Sequence, residues 1–107
     1  MDKVKALVLF IATAISVSAW AATEIVVTQK DKMFSQDSAK LKAGEKIKFV
    51  NDDTVTHNLT VKGPSGSSKP GVQEKPGDEI EISFDETGVS EVRCLIHPKM
   101  KLSVEAN

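Results

Sequence analysis

Scarcity sets the terms for this chain of 107 residues. It has one cysteine, Cys94, so no disulfide can close within it. An iron–sulfur cluster, which ordinarily takes about four thiolates, is excluded for the same reason. Tyrosine is missing, and beyond the single tryptophan, Trp20, the only aromatic side chains of the body are Phe34, Phe49 and Phe84. That leaves no aromatic stripe for stacking on bases or sugars. Charge of one sign is lacking too: 14 Lys and Arg stand against 15 Asp and Glu, a formal net charge of −1. Such a balance offers no electrostatic footprint for nucleic acid or an anionic membrane. There are just two histidines, His57 and His97. A metal site that takes both leaves none for a second, catalytic centre.

The longest apolar run, Ala6 to Val17, follows Lys3 and Lys5 and precedes Ala19-Trp20-Ala21. A positive start, an apolar centre and a small-x-small end make an export signal. The run is too short to span a bilayer comfortably. Cleavage is expected near Ala21-Ala22, with Ala19 as a rival point. Residues 1–21 then form a signal peptide, and residues 22–107 one exported, periplasmic domain. A domain this small buries roughly 60% of its unfolded surface. A bound metal would add folding energy, because ligands gather only in the native state.

What remains reads as short alternating segments separated by turn residues, an all-β sandwich of about seven to eight strands. Strands are expected over Thr23–Gln29, Ala39–Lys42, Lys46–Phe49, Thr56–Lys62, Glu79–Phe84, Val89–Cys94 and Lys101–Glu105. A short edge strand around Val72–Glu74 lies within the Gly-, Ser- and Pro-rich stretch Gly63–Asp78. Lys30–Asp37 reads as a loop, with Met33-Phe34 folding back onto the body. Asn51-Asp52-Asp53 reads as a turn cluster.

The chemistry concentrates in Cys94-Leu95-Ile96-His97-Pro98-Lys99-Met100, with His57 far upstream in Thr56-His57-Asn58-Leu59-Thr60-Val61. One thiolate, two imidazoles and a thioether are the donors of a trigonal copper site with a weak axial methionine. Strand parity brings them inward. His57 shares a face with Leu59 and Val61, Cys94 with Val92, and Met100 with Leu102 and Val104. His57 and Met100 begin strands, whereas Cys94 ends one. If the Cys94 strand runs antiparallel to the other two, all three meet at one pole, and His97 joins them from the loop. Thioether sulfur is soft and favours copper over zinc. Pro98 biases His97 away from helical conformation and holds the loop open.

These motifs resemble the cupredoxin family, in its plastocyanin/amicyanin-like branch. The likeness takes in Gly44-Glu45-Lys46-Ile47-Lys48-Phe49-Val50-Asn51, the His57-Asn58 pair and the C-terminal loop. It implies a Greek-key β-sandwich holding one type 1 copper, with His57, Cys94 and His97 as strong ligands and Met100 as the axial one. It also implies that the Asn58 backbone N–H donates to the thiolate, stabilising charge on sulfur. Two positions depart from the plastocyanin pattern. Ser90 stands where a corner tyrosine is usual, and Leu95 where Ser or Thr often follows the cysteine.

The expected function is a diffusible carrier of single electrons, not an enzyme, passing them through the edge of His97. Leu95, Ile96 and Pro98 would form a small apolar docking patch with Lys99 and Lys101 at its rim. Expected partners are soluble or membrane-attached redox proteins, such as a cytochrome or dehydrogenase, met in brief small contacts. No nucleic acid or small-molecule substrate is expected, and the chain is expected to be monomeric. The alternative is a copper-delivery or storage protein that uses the same ligands for Cu(I).

Overall fold

The computed structural model describes residues 24–107, so the expected signal peptide and its cleavage point lie outside the described residues. Nine strands are formed: β1 (Ile25–Lys30), β2 (Met33–Phe34), β3 (Ser38–Leu41), β4 (Lys46–Asn51), β5 (His57–Lys62), β6 (Val72–Glu74), β7 (Glu79–Ser83), β8 (Gly88–Cys94) and β9 (Lys101–Ala106). They make two sheets, β2-β1-β4-β7 and β3-β9-β8-β5-β6. This is the all-β sandwich expected from the alternation, with the Greek-key order that the family resemblance implies. It has nine strands where about seven to eight were expected, because Met33-Phe34 pairs as a strand of its own.

Period-two patterning explains the layers. In β4, Ile47, Phe49 and Asn51 turn inward while the intervening side chains are exposed or half-buried. In β9, Leu102, Val104 and Ala106 do the same. The two inner faces meet in one core, in which Val27, Ile47, Phe49, Val92, Leu102 and Val104 are wholly buried. Burying each Val, Leu, Ile or Phe side chain stabilises the fold by about 1.5–3 kcal/mol.

Strand direction decides which strand ends lie together. β8 runs antiparallel to β5, with Leu59 opposite Cys94, and antiparallel to β9, with Arg93 opposite Lys101. The starts of β5 and β9 and the end of β8 therefore share a pole. Two pairings are parallel, β1 with β4 and β3 with β9, as the Greek-key crossovers require.

The segment after β1 is more ordered than its polarity suggests. Met33 and Phe34 pair with Lys30 and Gln29, closing a hairpin with two turn residues, Asp31 and Lys32. Both adopt left-handed backbone, with φ of 53° and 59°, as the tight turn that matches strand twist demands. Asp tolerates that conformation; Lys does so less readily. Here the Lys32 N–H donates to Asp53 Oδ2 at 2.8 Å, a long-range tie that offsets the local strain.

Candidate metal centre

Three donor atoms converge at the shared pole. Cys94 Sγ lies 3.7 Å from His57 Nδ1 and 3.6 Å from His97 Nδ1, and the two Nδ1 atoms are 3.2 Å apart. The imidazole rings meet edge to face, with centroids 5.0 Å apart. Metal–imidazole bonds of about 2.0 Å and metal–thiolate bonds of about 2.3 Å, spread at 120°, would place sulfur and nitrogen roughly 3.7 Å apart and the nitrogens roughly 3.5 Å apart. The observed triangle is close to that. A thiolate and two imidazole nitrogens are also the donors a soft, trigonal copper site takes.

Each donor is held differently. His57 is fully buried at the first position of β5, and Cys94 is 1% exposed at the last position of β8. Both ride on strands that pair side by side, so their separation is set by sheet register. His97 comes from the loop and is half-buried. That loop is closed at both ends: the Leu95 N–H donates to Asn58 O at 2.8 Å, and the Met100 N–H to His97 O at 2.9 Å. Met100 is buried at its far end, just before β9.

The surroundings prepare the donors. Asp53 Oδ2 sits 3.0 Å from His57 Nε2. A carboxylate there accepts the Nε2–H, which leaves the Nδ1 lone pair facing the triangle. Asp53 is itself fixed by the amides of Lys32 and Thr54, and its own N–H donates to Asn51 Oδ1. The Lys32 amide above all holds the Asp53 carboxyl below the usual carboxylate range. On the sulfur side, the Asn58 N–H points at Cys94 Sγ, 3.4 Å away.

Beneath the site lies a buried polar group that the alternating pattern did not reveal. Gln29, Asn51 and Glu74 are all fully buried. Gln29 Nε2 donates to Glu74 Oε1 at 2.5 Å, and Asn51 Nδ2 donates to Glu74 O at 2.8 Å and Val55 O at 3.0 Å. Glu74 stands across the β5–β6 ladder from His57. Burial, only partly countered by the Gln29 donor, raises its carboxyl to about 7.

Of the other expected positions, Leu95 and Ile96 are 60% and 53% exposed, and Pro98 and Lys99 are exposed beside them. Together with His97 and Lys32, Ile96, Pro98 and Lys99 line a shallow surface groove. Lys32, delivered by the β1–β2 hairpin, was not anticipated there. Lys101 lies 3.9 Å from Glu91, so it is a partnered charge. Ser90 is buried, on the face its strand parity requires. Asp53 and Glu74 were missed as parts of the site. Asp53 stands four residues before His57 within an Asn-Asp-Asp cluster that reads equally well as a plain turn. A charged residue at the end of an edge strand gives no sign of facing inward.

Two packed sheets with a sulfur–nitrogen triangle at one pole define a metal-binding β-sandwich of the blue-copper kind. The family described as "Copper binding proteins, plastocyanin/azurin family" matches residues 21–106. The chain belongs to that family and is a cupredoxin, and the side chains of His57, Cys94, His97 and Met100 fit one type 1 copper ion. Solved structures agree on the fold. Amicyanin from Paracoccus versutus (Thiobacillus versutus) superposes with a TM-score of 0.72 at 24% identity, covering 82% of this chain and 85% of that one. A reduced tryptophan-to-tyrosine variant of amicyanin gives 0.71 at 21% identity, with 82% and 86% covered. The Cu(I) form of a methionine-to-alanine variant of amicyanin gives the same values.

Proposed function

We propose that this protein is an exported, periplasmic carrier of single electrons, with His57, Cys94 and His97 as strong copper ligands and Met100 as a weak axial donor. Bound copper supplies a one-electron Cu(I)/Cu(II) couple. The triangle of Sγ and two Nδ1 atoms, with edges of 3.2 to 3.7 Å, carries the reading. Donors fixed by strand register and a pinned loop keep their positions whichever charge the site bears. Little rearrangement then opposes each transfer. Asp53 orients His57, the Asn58 N–H supports charge on the thiolate, and Pro98 restricts the loop that carries His97.

His97 is the port, because it is the one imidazole of the pair with solvent access. The apolar side chains of Ile96 and Pro98 line the groove beside it, exposed Leu95 lies earlier in the same loop, and Lys99 lies at the rim. A patch this small suits brief contact with a redox protein, with the carrier acting as a monomer. Both histidines are committed to the ligand set, so the reading is of a carrier and not of an enzyme. Adding Cu(II) to the purified protein should produce intense visible absorption and a type 1 EPR signal, and Cys94→Ser should abolish the colour. Colour that survives the substitution would refute the assignment. A delivery or storage role predicts instead that copper leaves for an acceptor, whereas a carrier retains it through repeated redox cycles.

A further inference from the structure

Six glycines occur in the described residues, and they are required for different reasons. Gly44, Gly66 and Gly77 have φ of 95°, 89° and 89°, with nothing within 4 Å of an added Cβ. There the backbone conformation demands glycine. Gly71 is the reverse. Its φ lies outside the left-handed region, yet an added Cβ would sit 2.0 Å from Asn58 Oδ1, 3.0 Å from Asn58 Cγ and 3.0 Å from Leu95 Cδ1. Space, not conformation, is what a side chain at this position would contest, against the side chains of Asn58 and Leu95.

What occupies that space is significant. Asn58 is committed on both sides of its backbone, its N–H to Cys94 Sγ and its C=O to the Leu95 N–H. Its side-chain Oδ1 is buried without a hydrogen-bond partner. An orphaned buried carbonyl is costly, so polar pairing of that oxygen does not explain where the amide sits. Close packing against the bare Cα of Gly71 does.

From this packing we infer that Gly71 is a positioning residue for the metal centre: its missing side chain forms the socket that seats the Asn58 amide and so keeps the Asn58 N–H on the Cys94 sulfur. Leu95, the first residue of the ligand loop, forms the other wall. A methyl group at position 71 must push Asn58, Leu95 or both. Either movement loosens the N–H···S contact, and a thiolate with less support favours the oxidised metal.

The inference rests on the copper-carrier function, and the two can fail separately. If copper-loaded unmodified protein shows no sulfur-to-copper absorption, the copper assignment falls. If that band is present, Gly71→Ala should move it to longer wavelength and lower the reduction potential. In the copper-free protein the same substitution should shift the Asn58 amide proton resonance, a readout independent of metal. The double variant Gly71→Ala with Asn58→Ala retains the backbone N–H and lets the new methyl fill the vacated socket. It should return band and potential most of the way. Unchanged band, potential and amide resonance in Gly71→Ala would overturn the inference. So would a double variant as perturbed as the single one. Should Gly71→Ala fail to fold, a folded double variant supports the socket. An unfolded one refutes it, because something other than the Asn58 amide would then be excluding the methyl.

Discussion

The two poles of the sandwich are closed by different means. At the pole opposite the triangle, backbone pairs with backbone: Ala43 N–H to Asn107 O, Asn107 N–H to Leu41 O, Gly44 N–H to Phe84 O and Phe84 N–H to Glu45 O. At the metal pole, buried polar side chains are added to backbone bonds such as Leu95 N–H to Asn58 O and Gly77 N–H to Asn51 O. Gln29, Asn51, His57 and Glu74 are buried there, and Gln29 Oε1 and Glu74 Oε2 have no partner among the described residues. Backbone closure satisfies polar groups at little cost. Side-chain closure leaves buried polar atoms that a domain of this size can ill accommodate. The metal pole is thus organised around donors rather than around stability, and bound copper would recover part of the deficit.

Acid titration should separate the poles most clearly. Glu74 ionises near the ordinary 4.5 when unfolded and at about 7 when folded. Between those values the folded protein holds a proton that the unfolded chain has released. Its stability is therefore full below about pH 4 and declines as pH rises through 7, then levels off. In the copper-free protein the decline from this one group should be on the order of 3 kcal/mol. Denaturant midpoints across pH 4 to 8 measure it, and Glu74→Gln should flatten the slope. A slope unchanged by Glu74→Gln would mean that other groups govern this pole.

Removing the Asp53 carboxylate comes next. Asp53→Ala leaves His57 Nε2 and the Lys32 amide without their acceptor, and should weaken copper binding by about 10–100-fold. Competition with a chelator of known affinity reads it directly. At the far pole, Gly88 has φ of 125°, and an added Cβ would lie 2.9 Å from Pro64. Gly88→Ala should destabilise the fold by about 1 kcal/mol or more while leaving the copper spectrum unchanged. A spectral change there would break the separation of the poles. The smallest effect belongs to the surface: Lys46 and Glu81, 3.9 Å apart and both exposed, should contribute about 0–1 kcal/mol when tested by a double-mutant cycle in denaturant.

Much of the fold was legible because β-structure writes itself in alternation. Strands β4, β8 and β9 bury the residues that period two assigns inward, β7 buries Ile82 and half-buries Ile80, and the same parity aimed His57, Cys94 and Met100 at the core. Legibility failed where pairing is set from a distance. The β2 strand is two residues long and exists because Asp31 and Lys32 accept left-handed backbone, the latter pinned by Asp53 from another sheet connection. Glu74 reads as a solvent-facing edge residue, since nothing local says that Gln29 awaits it 45 positions earlier.

By itself, the order of residues determined which atoms could bind a metal, because the chain holds one thiol and two imidazoles and spaces them on inward-facing positions. Only the tertiary structure decided how those atoms are oriented and at what distance they stand. Side-chain direction along a strand is a local property of the backbone. The contacts of Asp53 with His57, of Asn58 with Cys94 and of Gly71 with Asn58 depend on register between segments that no local pattern relates.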